Sequence, residues 1–162
     1  MANDYQLAQF NVARLAAPLD SDQLRDFVDG LAPINALAEA SDGFIWRLVD
    51  DDGADATALR PFDEDVIVNL SVWKDVESLQ AFVYNSRHRE FVRRRRQWFS
   101  AWQGPSYVLW WVVPGDRPTP QDGKQRLACW RHAARARTRS ISVLPFRRRW
   151  PSPPPFELAD VI

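Results

Sequence analysis

Residues 66–102, VIVNLSVWKDVESLQAFVYNSRHREFVRRRRQWFSAW, constrain the fold more than any other stretch, because an alternating segment passes within two residues into a helical pattern. In VIVNLSVW, Val68, Leu70 and Val72 share one face while Ile67, Asn69, Ser71 and Trp73 share the other. That period of two is a strand with one apolar and one mixed face. Asp75 offers an N-cap oxygen to a helix starting at Val76, and Glu77 sits near the positive end of its dipole. Val76, Leu79, Phe82 and Val83 form a core stripe. The next apolar set, Phe91, Val92, Trp98 and Phe99, falls on another side of an ideal helix. The spacing therefore predicts a kink or short break at Asn85-Ser86-Arg87, then a second helical segment from about Arg87 to Trp102, ended by Gly104 and Pro105.

The flanking text supplies the other elements. YQLAQFNVAR, residues 5–14, alternates, with Ala8, Phe10 and Val12 opposite Leu7, Gln9 and Asn11. Leu24, Phe27, Val28 and Leu31 recur at helical spacing after a cap at Asp20 or Ser21. Gly30 and Pro33 predict a break there, with a second short helix ending near Gly43. GFIWRLVD, 43–50, is a second strand. DDDGADATALRPFDED has no periodicity and reads as a mobile polar loop whose carboxylates form a solvated surface. SYVLWWVVP, 106–114, is a fourth strand. A helix is expected after Thr119, with Pro120 in its first position. ISVLPF is a candidate edge strand, and the SPPP tail reads as extended or disordered. The Arg/Ala-rich text at 131–150 breaks the alternation shown elsewhere, as a pair of compensating reading-frame changes would.

This order is β-α-β-β-α-β: an α+β, ferredoxin-like fold with a mainly antiparallel four-stranded sheet, helices on one face and an extra C-terminal helix. It predicts a domain over 1–130 and a basic, Pro-rich extension over 131–162. The uncovered face is expected to carry Asn11, Asn69, Trp73, Arg47 or Trp46, and one of Trp110 or Trp111. Pairing two such faces would give a homodimer enclosing an aromatic, sparsely polar cavity.

Composition narrows the function classes. A chain of 162 residues with eight Trp and nine Phe has enough apolar material for one aromatic core. Cys129 stands alone, so no internal disulfide forms, which suits a reducing, cytoplasmic setting, and an idle thiol is expected. The N-terminal residues lack the basic-then-apolar pattern of a secretory leader, and YVLWWVV is far shorter than the ~20 residues of a membrane helix. No metal-ligand cluster, phosphate loop or nucleophile elbow is present. The formal charge of zero hides a division. Residues 1–86 hold 16 acidic and 5 basic side chains, net −11, and residues 87–162 hold 16 basic and 5 acidic, net +11. Such halves can pack on each other, meet across subunits, or hold an anion.

VNLSVWKDVESLQAFVYNSRHREF resembles the strand-to-helix signature of the dimeric α/β-barrel superfamily, which includes antibiotic-biosynthesis and haem-degrading monooxygenases. LAQFNVARL, PINALAEASDGFIWRL, NLSVW, the AFVY, HRE and RRRQWF segments and LWWVVPG resemble more closely a bacterial domain-of-unknown-function family of that superfamily. The resemblance spans roughly residues 6–130. It implies the ferredoxin-like fold and a homodimer, and carries no assigned reaction. Haem-degrading members pair a first-strand Asn with a Trp and a His on the helix after the V-W-K strand end. Asn11 matches the Asn, but Phe82 stands at the Trp position and Val92 at the His position. Haem degradation by that constellation is therefore disfavoured, although haem binding is left open and no cofactor is required.

The candidate site residues are His88 and Asn11 as catalytic groups, with Trp46, Asn69, Ser71, Trp73 and Trp110 lining a pocket. An imidazole titrates near neutrality and can act as acid, base or iron ligand. It can equally be a histidine satisfied at the helix break. Asn11, Asn69 and Ser71 could donate to a substrate oxygen, or be polar groups satisfied internally. Arg95 shares the apolar side of its helix and is the arginine expected to pair internally. Three functions remain. The first is a small-molecule-binding protein of monooxygenase-like type acting on a small apolar or aromatic ligand, in its catalytic form stabilising a carbanion or enolate beside oxygen. The second is a non-catalytic dimeric structural or interaction protein. The third, least favoured, is nucleic-acid binding through the arginine-rich helix.

Overall fold

The computed structural model describes residues 5–137. Its elements run β1 (Gln6–Leu15), α1 (Arg25–Glu39), β2 (Phe44–Arg47), β3 (Val66–Trp73), α2 (Val76–Val83), α3 (Ser86–Arg93), α4 (Arg95–Trp98), β4 (Phe99–Ser100), β5 (Tyr107–Val112) and α5 (Pro120–Arg137). The strands form one antiparallel sheet. β3 lies between β2 and β1, while β5 and the two-residue β4 share the other edge of β1. Register places Gln9 opposite Ser71 and Asn11 opposite Asn69. This is the expected ferredoxin-like α+β arrangement, with α5 as the extra C-terminal helix. The candidate ISVLPF strand, the SPPP tail and most of 131–150 lie outside the described residues.

Which face the helices cover differs from expectation. α1, α2 and α3 lie over the mixed face, where Leu7 and Trp73 meet Val76, Leu79 and Val83 of α2, and Ala13 and Ile67 meet Leu24, Phe27 and Trp98. The apolar face of Phe10, Val68, Leu70, Val108 and Trp110 is closed within the same chain by Leu127 of α5 and, from the long β2–β3 connection, by Leu59 and Phe62. Gly123 allows this approach, because a Cβ there would collide with the Phe10 ring. The mixed face expected to stay open is thus the one that α1, α2 and α3 of the same chain cover. The carboxylates of the 50–65 connection are exposed at Asp51, Asp52, Asp63, Glu64 and Asp65, as expected, but the loop is also anchored: Ala56 is buried, and Arg14 of β1 holds Asp63 at 2.8 Å and Asp65 at 2.6 Å.

Three helix expectations change in detail. α1 runs unbroken through Gly30 and Pro33. Pro33 is exposed, so the turn next to it faces water, which can satisfy the carbonyl that proline leaves without a donor. Gly30 is required for packing, since a Cβ would strike the Phe91 ring of α3. Asp75 caps α2 as expected, accepting from Ser78 N at 2.8 Å. The break falls at Tyr84–Asn85, where Asn85 Oδ1 caps α3 by accepting from Arg87 N at 3.1 Å. The helical stretch stops at Trp98 rather than Trp102, because Phe99 turns extended to pair with Leu15. β2 is four residues long with a register irregularity, shorter than the eight expected.

The charge division is partly answered inside the chain. Arg94 of the basic half pairs with Asp26 of α1 and lies over the Trp98 ring, 5.2 Å from its centroid. Arg117, Lys124 and Arg126 sit over Trp46, Phe62 and Trp110 at 5.5, 5.0 and 4.8 Å. Arg95 donates to Val92 O at 3.3 Å.

Candidate functional site

Two of the pocket candidates fall on the wrong side of the sheet. Trp46 and Trp110 belong to the face under α5, each with an arginine over its ring, so neither can share a cavity with His88. Sequence alternation separates two faces but does not say which is beneath which helix. Asn11, Asn69, Ser71, Trp73 and His88 do converge, between the mixed face and the helices, although Ser71 and Trp73 support the cavity from behind rather than line it.

The cavity has a volume of about 110 Å³. Phe27, Leu31 and Ile34 of α1, Phe91 of α3, and Ile67 and Phe99 make its apolar wall. Its polar members are Asn11, Asn35, Arg47, Asp55, Thr57, Asn69 and His88. Asn69 is exposed and so belongs to the rim, whereas Asn11 is only 5% exposed. Arg47 at the end of β2 is anchored by Nε to Glu39 Oε1 at 2.7 Å. Asp55 turns its Oδ1 inward on its own loop, accepting from Thr57 N at 2.7 Å and Thr57 Oγ1 at 2.6 Å.

His88 is held in one tautomer. Its Nδ1 lies 3.0 Å from Val83 O, and a carbonyl can only accept, so Nδ1 carries the proton and Nε2 the lone pair. Burial lowers the imidazole pKa below its ordinary value, the bond to Val83 opposing this less strongly, so the ring is neutral at pH 7. It packs on Phe82 with centroids 4.6 Å apart, and Phe82 in turn stacks on Trp73 at 5.2 Å.

Asn11 is held from the opposite side. Trp73 Nε1 donates to Ser71 Oγ at 2.9 Å, Ser71 Oγ to Gln9 Oε1 at 3.1 Å, and Gln9 Nε2 to Asn11 Oδ1 at 2.6 Å. Asn11 Nδ2 makes no hydrogen bond among the described residues, on a side chain that lines the cavity. Among the polar members, Asn11 and His88 are the two held in a fixed orientation from behind, one as a donor and one as an acceptor, a combination suited to binding an acidic C–H or O–H next to an oxygen.

Sequence reasoning missed Gln9, which is 2% exposed. Its signal was available, since a buried-face glutamine two residues from Asn11 shares that face. Of the two alternatives Arg47 and Trp46 expected beside Asn11, it is Arg47 that lines the cavity; Asn35 had no such signal, because α1 was expected to break. Cys129 is exposed and outside the site.

A tetrapyrrole does not fit a cavity of about 110 Å³, which lies below the ~300 Å³ at which drug-sized pockets begin. Val92 is buried, and Phe82 lies between Trp73 and His88. Among the described residues, no group of three or more His, Cys, Asp or Glu side chains could hold a metal ion, and no helix is long and apolar enough to cross a membrane.

The chain is similar to several solved structures. SnoaB, a cofactor-independent oxygenase from Streptomyces nogalater, is 14% identical, with 72% of this chain and 97% of that one covered at a TM-score of 0.45. A putative antibiotic biosynthesis monooxygenase from Chloroflexus aurantiacus is 16% identical, covering 70% and 97% at 0.44. A protein of unknown function from Nitrosomonas europaea is 18% identical, covering 72% and 96% at 0.43. No curated protein matches the sequence. A family model described as "Domain of unknown function (DUF3291)" matches residues 6–148, most of the chain, and the chain belongs to that family.

Proposed function

We propose that this chain is a small-molecule-binding enzyme of monooxygenase-like type, acting without a bound cofactor on a small enol or phenol. The observation that carries this is that Asn11, whose Nδ2 has no acceptor among the described residues, and His88, whose Nδ1 is held by Val83 O, line one cavity. An engineered apolar cavity of roughly 150 Å³ holds benzene, so a space of this order suits a single ring.

The chemistry follows from the two groups. His88 Nε2 takes the acidic proton of the substrate, and Asn11 Nδ2 donates to the oxygen on which negative charge develops. Dioxygen is the oxidant. The anion passes one electron to it, the radical pair combines to form a C–O bond, and the peroxide takes the proton back from His88. Where the attacked carbon is a CH2, the O–O bond then breaks and water leaves, so CH2 plus O2 becomes C=O plus H2O. A neutral base is needed for the first step, and the burial of His88 supplies it. All these groups come from one chain, so the reading does not require a second subunit.

The test is dioxygen uptake with a panel of monocyclic enols and phenols, comparing wild type with Asn11→Ala, His88→Ala and the double variant, each checked for folding. Uptake with at least one panel member, lost in both single variants, is expected. Equal uptake or ligand retention in the folded double variant would overturn the catalytic role.

A further inference from the structure

Four side chains that alternate between β1 and β3 behave as one device. Gln9, Asn11 and Ser71 are 2%, 5% and 7% exposed, and Trp73 is 1% exposed. Such positions under helices are ordinarily apolar, since each buried polar group is costly unless bonded. Leucine and alanine would serve packing alone. The bonds between them also have a fixed sense. An indole N–H can only donate, so Ser71 Oγ accepts from Trp73 and passes its own proton to Gln9 Oε1. With its oxygen occupied, Gln9 presents Nε2 to Asn11 Oδ1. The last donor in the sequence, Asn11 Nδ2, has no acceptor among the described residues and lies on the cavity.

We infer that Trp73, Ser71 and Gln9 are positioning residues forming a one-way hydrogen-bond relay. The relay holds the Asn11 amide with its N–H2 toward the cavity, so the site selects ligands bearing an acceptor oxygen, as phenols, enols and their anions do, over isosteric hydrocarbons. This rests on the reading of the cavity as a ligand site. An amide turned the other way would offer Oδ1 to the cavity, and an oxygen there would repel an oxyanion. The relay removes that alternative. It also explains why polar residues occupy a core where packing has no use for them, since a chain of bonds with a donor-only group at one end has a defined output at the other.

The experiment titrates the full chain with phenol and with toluene, which match in shape and differ in the acceptor oxygen. Wild type is expected to prefer phenol by roughly tenfold or more, the worth of the bonds its hydroxyl makes to Asn11 Nδ2 and His88 Nε2. Ser71→Ala should shrink that ratio several-fold while leaving toluene affinity unchanged, and Ser71→Thr, which keeps the hydroxyl, should restore it. A purely structural role would weaken both ligands together. Ser71→Ala retaining the wild-type ratio while Asn11→Ala loses it overturns the relay. Wild type that binds toluene as well as phenol overturns the donor assignment, and wild type that binds neither overturns the reading of the cavity itself. Should Ser71→Ala fail to fold, side-chain amide resonances of 15N-labelled wild type decide the matter. Phenol must shift the Asn11 Nδ2 protons and leave those of Gln9 Nε2 in place; unmoved Asn11 protons contradict the inference.

Discussion

The Nδ1 of His88 lies 3.0 Å from the carbonyl oxygen of Val83, across the break between α2 and α3. The bond uses a carbonyl at the end of α2 that has no next-turn donor to satisfy it, and so ties the orientation of the ring to the break itself. A continuous helix would bond Val83 O within its own backbone and release the imidazole. The break is therefore part of the site's geometry, with Asn85 as its cap.

The pH dependence of stability follows from the same histidine. Burial lowers its pKa in the folded chain, so the unfolded chain binds more protons below the ordinary value near 6.5. Its contribution is present above that pH and is lost as pH falls through the folded value. Denaturant unfolding measured from pH 8 to pH 5 should show wild type losing stability toward the acid end, and His88→Phe showing a flatter profile. Parallel profiles would mean that His88 does not titrate differently on folding.

Gly30 should resist replacement even by alanine. Alanine gains about 1 kcal/mol in helix propensity. The added Cβ, however, meets the Phe91 ring, and overpacking of this kind costs about 1–3 kcal/mol. Chemical denaturation of Gly30→Ala should therefore show neutral to clearly lower stability, with the cavity wall at Phe91 displaced and ligand affinity reduced. A variant stabilised by the full propensity gain would show that α1 and α3 are not packed this closely.

Asp75→Ala removes the α2 cap and should cost about 1 kcal/mol at pH 7. Bonds from Ser78 hold the Asp75 carboxyl below its ordinary pKa, so its stabilisation is present above the unfolded value near 3.9 and is lost as pH falls through the folded one. Equilibrium unfolding at pH 7 and pH 3 should show the difference between wild type and variant shrinking at the lower pH. A difference that stays constant would contradict the capping role.

Trp110 separates the two faces experimentally. It is buried under α5 with Arg126 over its ring, away from the cavity. Trp110→Leu should lower stability by about 2–3 kcal/mol. Phenol binding measured by titration on the folded variant should match wild type, whereas a specific loss of affinity would return Trp110 to the site.

Much of this architecture was legible because period-two alternation leaves little choice of secondary structure. Leu7, Gln9 and Asn11 were separated correctly from Ala8, Phe10 and Val12, and Asp75 announced its helix. Alternation has no sign, however. Patterning alone puts α1 and α2 on the more apolar face of β3, yet α5 and the 50–65 connection cover it. Neither carries a strong pattern: α5 is rich in polar residues, and Leu59 and Phe62 stand in an acidic stretch. Pro33 misled because a proline rule assumes a buried helix turn, whereas this one is exposed. At the site, residue types singled out Asn11 and His88 as candidates, while their convergence on one cavity depended on an unbroken α1 and on the break at Asn85.

The most direct test of the cavity as a ligand site is the imidazole 15N spectrum of His88 at pH 7.5, with and without phenol. The account predicts a proton on Nδ1 and a bare Nε2 in the free protein, with the Nε2 resonance moving on addition of phenol as it accepts the ligand's O–H. A protonated Nε2 in the free protein, or an Nε2 signal unmoved at saturating phenol, would contradict it.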